Sequence, residues 1–269
     1  MFVDFSGKQI HVEVYGKGQP LVLLNGIMMS TPSWKPFIPA LSKSNKLIIL
    51  DLLDQGQSTK MTEGYPVTMQ ADALKCVLVE LGIEKAHISG ISYGAAVAMN
   101  FAVKYPDFVD RLVLFNCIAY TSPWLADVGE GWKAARVSPE AYYHMTIPTI
   151  YSPGFYNKNT DWINSRGEFL RTYVFNNDVF LDAMERLTDS MYAHDVREKL
   201  SEIKAKTLVV GSREDSLTPL KEQQYISEHI PGASLVVVED CGHGTMYEKP
   251  DCFVTLLTGF VNHTEVEIV

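Results

Sequence analysis

Basic residues are scarce in this chain: 23 lysines and arginines stand against 32 aspartates and glutamates, a formal net charge of −9 over 269 residues. No lysine–arginine cluster offsets that balance. A surface of this sign repels phosphate, so neither nucleic acid nor an anionic membrane is an expected partner. Cysteine is sparse as well. Cys76, Cys117, Cys241 and Cys252 are scattered, form no CxxC pair and do not resemble a disulfide framework. Cys241 with His243 supplies too few ligands for zinc, and the glycine-rich segments do not match phosphate-binding loops, so no metal and no cofactor are expected. There is no apolar run long enough to span a bilayer. The opening Met1–Lys8 lacks a basic segment leading into an apolar one, so a reducing cytoplasm is the expected location. Internal repeats and low-complexity stretches are missing too.

What is present is a rhythm. Gln9–Tyr15 alternates polar and apolar residues, the period-two sign of a half-buried strand, and Gly16–Pro20 is turn chemistry. Leu21–Leu24 and Lys46–Asp51 are apolar runs of the kind buried on both faces of a parallel sheet. From there strands and helices alternate. A helix is expected over Thr68–Leu81, a strand over Ala86–Ser89, a helix over Ala95–Tyr105 stopped by Pro106, and a strand over Val109–Phe115. Further on come strands at Thr207–Gly211 and Ser234–Val238, with helices at Leu220–Ile230 and Cys252–Val261. Such alternation implies βαβ units, hence an α/β fold with a mostly parallel sheet flanked by helices. Residues 118–195 break the rhythm: they hold no buried-strand run and are rich in aromatics. They read as a helical insertion after the strand ending near Asn116, which divides the chain into a core of 1–117 plus 196–269 and an inserted lid of 118–195.

Gly90-Ile91-Ser92-Tyr93-Gly94 follows an expected strand and opens an expected helix, the setting that gives G-x-S-x-G its meaning. A nucleophile at such a turn stands clear of the strand tip in strained backbone, and the glycines let strand and helix pass closely. Serine needs a base. His243 lies in the loop after the Ser234–Val238 strand, on the same sheet edge as Ser92, whereas the other six histidines sit in strands, in the insertion or beside surface helices. The acid that holds the imidazole is expected in the loop after Thr207–Gly211, where Asp215 is the choice and Glu214 the neighbouring competitor. Two backbone donors are needed for a developing oxyanion: the N–H of Tyr93 and that of Ile27, in the Asn25-Gly26-Ile27-Met28 loop after Leu21–Leu24.

With these residues in place the chain resembles the α/β-hydrolase superfamily over essentially its whole length. Four motifs agree in order: Leu-Leu-Asn25-Gly26-Ile27, Asp51-Leu-Leu-Asp54-Gln-Gly56-Gln-Ser58, Gly90-Ile-Ser92-Tyr-Gly94, and Gly242-His243 followed by Glu248-Lys249-Pro250. Two positions depart from the family pattern. Asn25 stands where the family usually has histidine, and Asp54 replaces the first glycine of D-x-x-G-x-G-x-S. The Asn25–Thr31 loop and Gly56-Gln57-Ser58 are instead similar to the hydroxyacyl transferases and synthases of polyhydroxyalkanoate and rhamnolipid-precursor formation. The wider resemblance implies a serine hydrolase acting on a small to medium carboxylic ester or thioester with an apolar group. The narrower one implies an acyltransferase that uses the same acyl-enzyme, although an acidic chain would repel an acidic acyl carrier. A carbon–carbon bond hydrolase shares the constellation, and a ligand-binding receptor that retains it is the non-enzyme reading. Asn25 and Met28, with Trp124, Tyr143 and Trp162 of the insertion, are the candidate substrate contacts.

Overall fold

Two short strands at the N-terminus, β1 (Phe2–Phe5) and β2 (Lys8–Tyr15), pair antiparallel across a turn in which Ser6 and Gly7 both have positive φ. This computed structural model describes residues 1–263, so the final stretch of the expected core segment, 264–269, lies outside the described residues. Strand β3 (Gln19–Leu24), a short helix α1 (Ile38–Leu41) and strand β4 (Asn45–Leu50) follow. Helix α2 (Thr68–Glu80), strand β5 (Ala86–Ile91), helix α3 (Tyr93–Lys104) and strand β6 (Val109–Phe115) continue the alternation. Beyond the insertion come β7 (Lys206–Ser212), α9 (Leu220–His229), β8 (Ser234–Val238), α10 (Thr245–Glu248) and α11 (Pro250–Val261). The eight strands form one sheet in the order β1-β2-β4-β3-β5-β6-β7-β8, parallel from β4 onward, with β1 and β2 antiparallel at one edge.

The apolar runs explain the layers. Successive strand residues face opposite sides, so Val22, Leu24, Ile48 and Leu50 enter one core with α2 and α3. Leu21, Leu23, Leu47 and Ile49 enter another with Trp34, Phe115 and Phe253. Helix α3 is buried from Tyr93 to Ala102 and starts two residues earlier than its apolar pattern alone suggests, directly from Ser92. Because β3 to β8 run parallel, the loops after β3, β5, β6, β7 and β8 all open at one edge of the sheet.

Residues between β6 and β7 form five helices: α4 (Pro123–Ala134), α5 (Pro139–Thr146), α6 (Pro153–Lys158), α7 (Thr160–Phe169) and α8 (Asp178–Ser190). Three of them begin with the same device. Ser122, Ser138 and Ser152 each cap a helix whose first residue is proline, and each side chain accepts from the backbone N–H three residues on. The insertion is tied at its root, where Tyr120 and Asp195 form an antiparallel bridge, Thr121 N–H donates to His194 O and Val196 N–H donates to Ala119 O. Among the described residues no helix is long and apolar enough to cross a membrane.

Candidate active site

Ser92 sits at φ 54°, ψ −115°, backbone that costs a non-glycine residue free energy and persists only where its surroundings enforce it. The enforcement is visible. Ser92 N–H donates to Phe115 O on the neighbouring strand, and Ser92 O accepts the first hydrogen bonds of α3 from Ala95 and Ala96. A Cβ on Gly90 would stand 2.3 Å from Gly94 O, and one on Gly94 would stand 2.3 Å from Leu24 O. Neither position admits a side chain, as the expected close strand–helix passage requires. Ser92 is half-buried and its side chain makes no hydrogen bond among the described residues, while it shares one cavity with His243.

Behind His243 the polar network is dense. His243 Nδ1 lies 2.8 Å from Asp215 Oδ2, and the two side chains are 8% and 0% exposed. The Asp215 carboxylate also accepts from Leu217 N–H at 2.9 Å, Thr218 N–H at 2.8 Å, Thr218 Oγ1 at 2.8 Å and Asn116 Nδ2 at 2.8 Å. Burial opposes ionisation of Asp215, but His243 and these donors outweigh it and hold the carboxyl below its usual range. Glu214 is exposed, so of the two candidate acids the structure brings Asp215 to the imidazole. Asn116 and Thr218 were not singled out from the sequence. Asn116 follows β6 at φ 47° and accepts from Thr245 Oγ1 at 2.6 Å, which fixes its amide towards Asp215. Thr218 Oγ1 also lies 3.2 Å from His243 Nδ1. An asparagine just past a buried strand is the one signal that could have pointed to it.

Ile27 and Tyr93 line the same cavity as Ser92. Tyr93 is the first residue of α3, so its N–H belongs to those a helix leaves without an internal acceptor. Asn25, expected to contact substrate, does not: it is fully buried and not among the cavity's lining residues. Its Nδ2 donates to Leu50 O and Gln55 Oε1, and its Oδ1 accepts from Trp34 Nε1 at 2.6 Å. Gln55 Nε2 in turn donates to Gly26 O at 2.9 Å. Asn25 therefore stiffens the loop that carries Ile27 instead of meeting a ligand.

The cavity holds about 180 Å³ and is lined mainly by apolar side chains. Met28 lines it as expected, but Trp124, Tyr143 and Trp162 do not. Trp124 is 51% exposed, Tyr143 is buried in the insertion's own core, and Trp162 packs against Tyr151, Phe155 and Tyr247 outside the wall. The aromatics that do line it are Trp132, Tyr151, Phe175, Phe180 and Tyr192, with Tyr93 and Tyr247 from the core. Which aromatics turn inward depends on how five short helices pack, and helical spacing within one of them cannot reveal that. The insertion also reaches the histidine loop. Glu248 accepts from Ser152 N–H, Ser152 Oγ and Gly242 N–H, and Gly244 N–H donates to Ile150 O. A second seam joins Asp54, at φ 68°, to Arg186 of α8, whose Nη2 donates to Oδ1 at 2.7 Å. Among the described residues no group of three or more His, Cys, Asp or Glu is placed to hold a metal ion.

Residues 19–174 match the family described as alpha/beta hydrolase fold, and residues 186–268 match one described as TAP-like protein. A solved alpha/beta hydrolase, MGS-M2 from a Medee basin deep-sea metagenome library, superposes with a TM-score of 0.97 at 45% identity, covering 100% of this chain and 99% of that one. A Comamonas testosteroni protein named 2-hydroxy-6-oxo-6-phenylhexa-2,4-dienoate hydrolase is 29% identical over 270 residues, 96% of this chain and 93% of its own length. An Azorhizobium caulinodans protein named carbamate hydrolase RutD is 26% identical over 253 residues, 93% of this chain and 94% of its own length.

Proposed function

The chain belongs to the alpha/beta hydrolase fold family, and on that premise we propose that it is a serine hydrolase cleaving a small to medium carboxylic ester or thioester that carries an apolar group. The observation that carries the reading is the buried Asp215–His243 contact at 2.8 Å opening on the cavity that exposes the strained Ser92. Ser92 Oγ attacks the acyl carbonyl while His243 Nε2 takes its proton. The carbonyl π pair moves onto oxygen, and the Ile27 and Tyr93 N–H groups receive that charge. On collapse the bond to the leaving alcohol or thiol breaks, and His243 returns the proton to the leaving group. Water then attacks the acyl-enzyme with His243 again as base, releasing the acid and regenerating Ser92. Asp215 stays ionised throughout; it fixes the imidazole tautomer and stabilises the imidazolium. The insertion acts as a lid that keeps water from the apolar cavity.

A second reading is favoured by the relative named as a dienoate hydrolase: the same constellation cleaving a carbon–carbon bond. The test begins with Ser92→Ala. Turnover of p-nitrophenyl esters should fall by at least about a thousandfold with folding intact, since triad serines matter by orders of magnitude. A fluorophosphonate should label the wild type once, at Ser92. A variant retaining more than about a tenth of the activity would sink the assignment. Added alcohol or thiol acceptors separate hydrolysis from acyl transfer, and a vinylogous 1,5-diketone substrate separates ester from carbon–carbon cleavage.

A further inference from the structure

Trp124 lines no part of the Ser92 cavity, yet it does line a second one. That outer cavity holds about 380 Å³. It lies between the start of α4, with Pro123, Trp124 and Leu125, and the loop after β7, with Leu217 and Pro219. Trp124 is 51% exposed, and the Lys221 side chain, which also lines it, is 77% exposed, so the outer cavity opens to solvent. The two cavities share walls: Ile118, Leu125 and Leu217 line both. They back onto each other across these three apolar residues.

The three are not equally replaceable. Leu217 N–H donates to the Asp215 carboxylate at 2.9 Å, and Ile118 O meets His194 Nε2 at 3.2 Å, so each belongs to a hydrogen-bonded frame. Leu125 carries no such duty. It is half-buried, its N–H is capped by Ser122, and its side chain packs against the apolar cluster that contains Leu217. Where a wall is closely packed behind its surface, an extra methylene on a ligand has nowhere to go and binding suffers. Behind Leu125 there is space. Pro123, Trp124 and Pro219 join the shared residues there in an apolar wall that suits a hydrocarbon chain.

We infer that Leu125, closing against Leu217, is the stop that sets the longest apolar chain the Ser92 cavity accepts, and that the Trp124 cavity behind it is a latent subsite for the same chain. With the stop in place Trp124 meets no substrate. With it removed, each methylene that passes through and is fully buried should gain about fourfold in affinity. Kinetic selectivity of this kind rests on acyl attack by Ser92 as proposed above; binding does not.

Two ester series test it: p-nitrophenyl alkanoates from acetate to myristate, with the chain on the acyl side, and S-alkyl thioacetates from ethyl to dodecyl, with the chain on the leaving side. In the wild type kcat/KM should climb with chain length and then drop at the stop. In at least one series Leu125→Ala should move that drop by about two methylenes and raise kcat/KM just beyond it by about tenfold, leaving the shortest esters within about threefold. Leu125→Phe should move the drop towards shorter chains. Trp124→Ala should leave the wild-type profile as it is, but remove at least about half of the gain when combined with Leu125→Ala. Should Leu125→Ala not fold, Leu125→Val carries the same expectation at smaller amplitude. Calorimetric titration with N-methylalkanamides and N-alkylacetamides reads the same limit without chemistry. A drop that stays in place in the folded Leu125 variants, or a gain that ignores Trp124, would overturn the inference. Turnover failing for every ester while the amide limit still moves in Leu125→Ala would overturn the Ser92 reading alone.

Discussion

Removing Arg186 should cost the protein more than removing the aspartate it holds. Asp54 occupies φ 68°, where glycine is at ease and an L side chain is strained by about 1 kcal/mol. Its side chain is 0% exposed, against 18% for Arg186. In Arg186→Ala the carboxylate stays buried, keeps the Met61 N–H as a donor with Tyr65 and the Lys60 ammonium nearby, and loses its ion-pair partner, a loss that costs about 3–5 kcal/mol for a buried pair. In Asp54→Gly the backbone strain is relieved and the longer, partly exposed guanidinium can turn to water, so the loss should be about 1–2 kcal/mol. The double variant should be no worse than Asp54→Gly alone, so the coupling should equal the Arg186→Ala loss, about 3–5 kcal/mol. Urea unfolding of the four proteins reads this directly: with a slope of about 3 kcal/mol/M, Arg186→Ala should move the midpoint down by about 1 M or more. An Asp54→Gly loss equal to or larger than that of Arg186→Ala would refute the reasoning, because the glycine-type backbone would then not be the source of the asymmetry.

Asp215→Asn should lower kcat/KM by about a thousandfold or more, with Glu214→Gln within about threefold, measured on a p-nitrophenyl ester; the reverse ranking would mean the acid is misassigned. Asn116→Ala should weaken activity less than Asp215→Asn, because it removes one of several donors to that carboxylate; a loss as large as that of Asp215→Asn would make it more than a positioning residue. Phe180→Ala, in the cavity wall, should shift the preferred acyl chain length, while Trp124→Ala should not; a graded ester series checks both. His194 is buried, with Nδ1 3.2 Å from Asn100 Nδ2 and Nε2 3.2 Å from Ile118 O, and burial lowers its pKa. The folded state thus favours the neutral ring, so its contribution is intact above the unfolded value of about 6.5 and is lost as pH falls below it. The urea midpoint should drop between pH 7.5 and 5.5 by less in His194→Gln than in the wild type, and equal drops would contradict this.

How much could be read in advance depended on where the information lies along the chain. The gathering of Ser92, His243 and Asp215 at one end of the sheet was legible because each follows an apolar strand run within a few residues, and a parallel sheet carries all such loops to one edge. The strain at Ser92 was legible for the same reason, since flanking glycines mark it. Asn116 and Thr218 were not, because an asparagine or a threonine in a loop means a turn far more often than a partner for a distant carboxylate. The insertion's existence showed as a break in periodicity. The inward faces of its helices did not show: Trp124 and Trp132 lie on the same helix, yet one is exposed and the other lines the cavity. Asn25 misled because a polar residue in an expected oxyanion loop invites a ligand role, whereas its amide is consumed by Leu50, Gln55 and Trp34.

The bridge between Tyr120 and Asp195 has a consequence for how such a chain can be altered. It pins both ends of the insertion side by side, so the core sees everything between them as one closed excursion. The entropy of closing a loop grows only with the logarithm of its length, about 0.6 kcal/mol for each doubling. The hydrolase core is thereby almost indifferent to how many residues the excursion contains. A foreign segment spliced at this neck would leave the sheet's folding problem unchanged. Among the contacts it would have to rebuild are Ser152 against Glu248 and Arg186 against Asp54, where the excursion is sewn back to the frame.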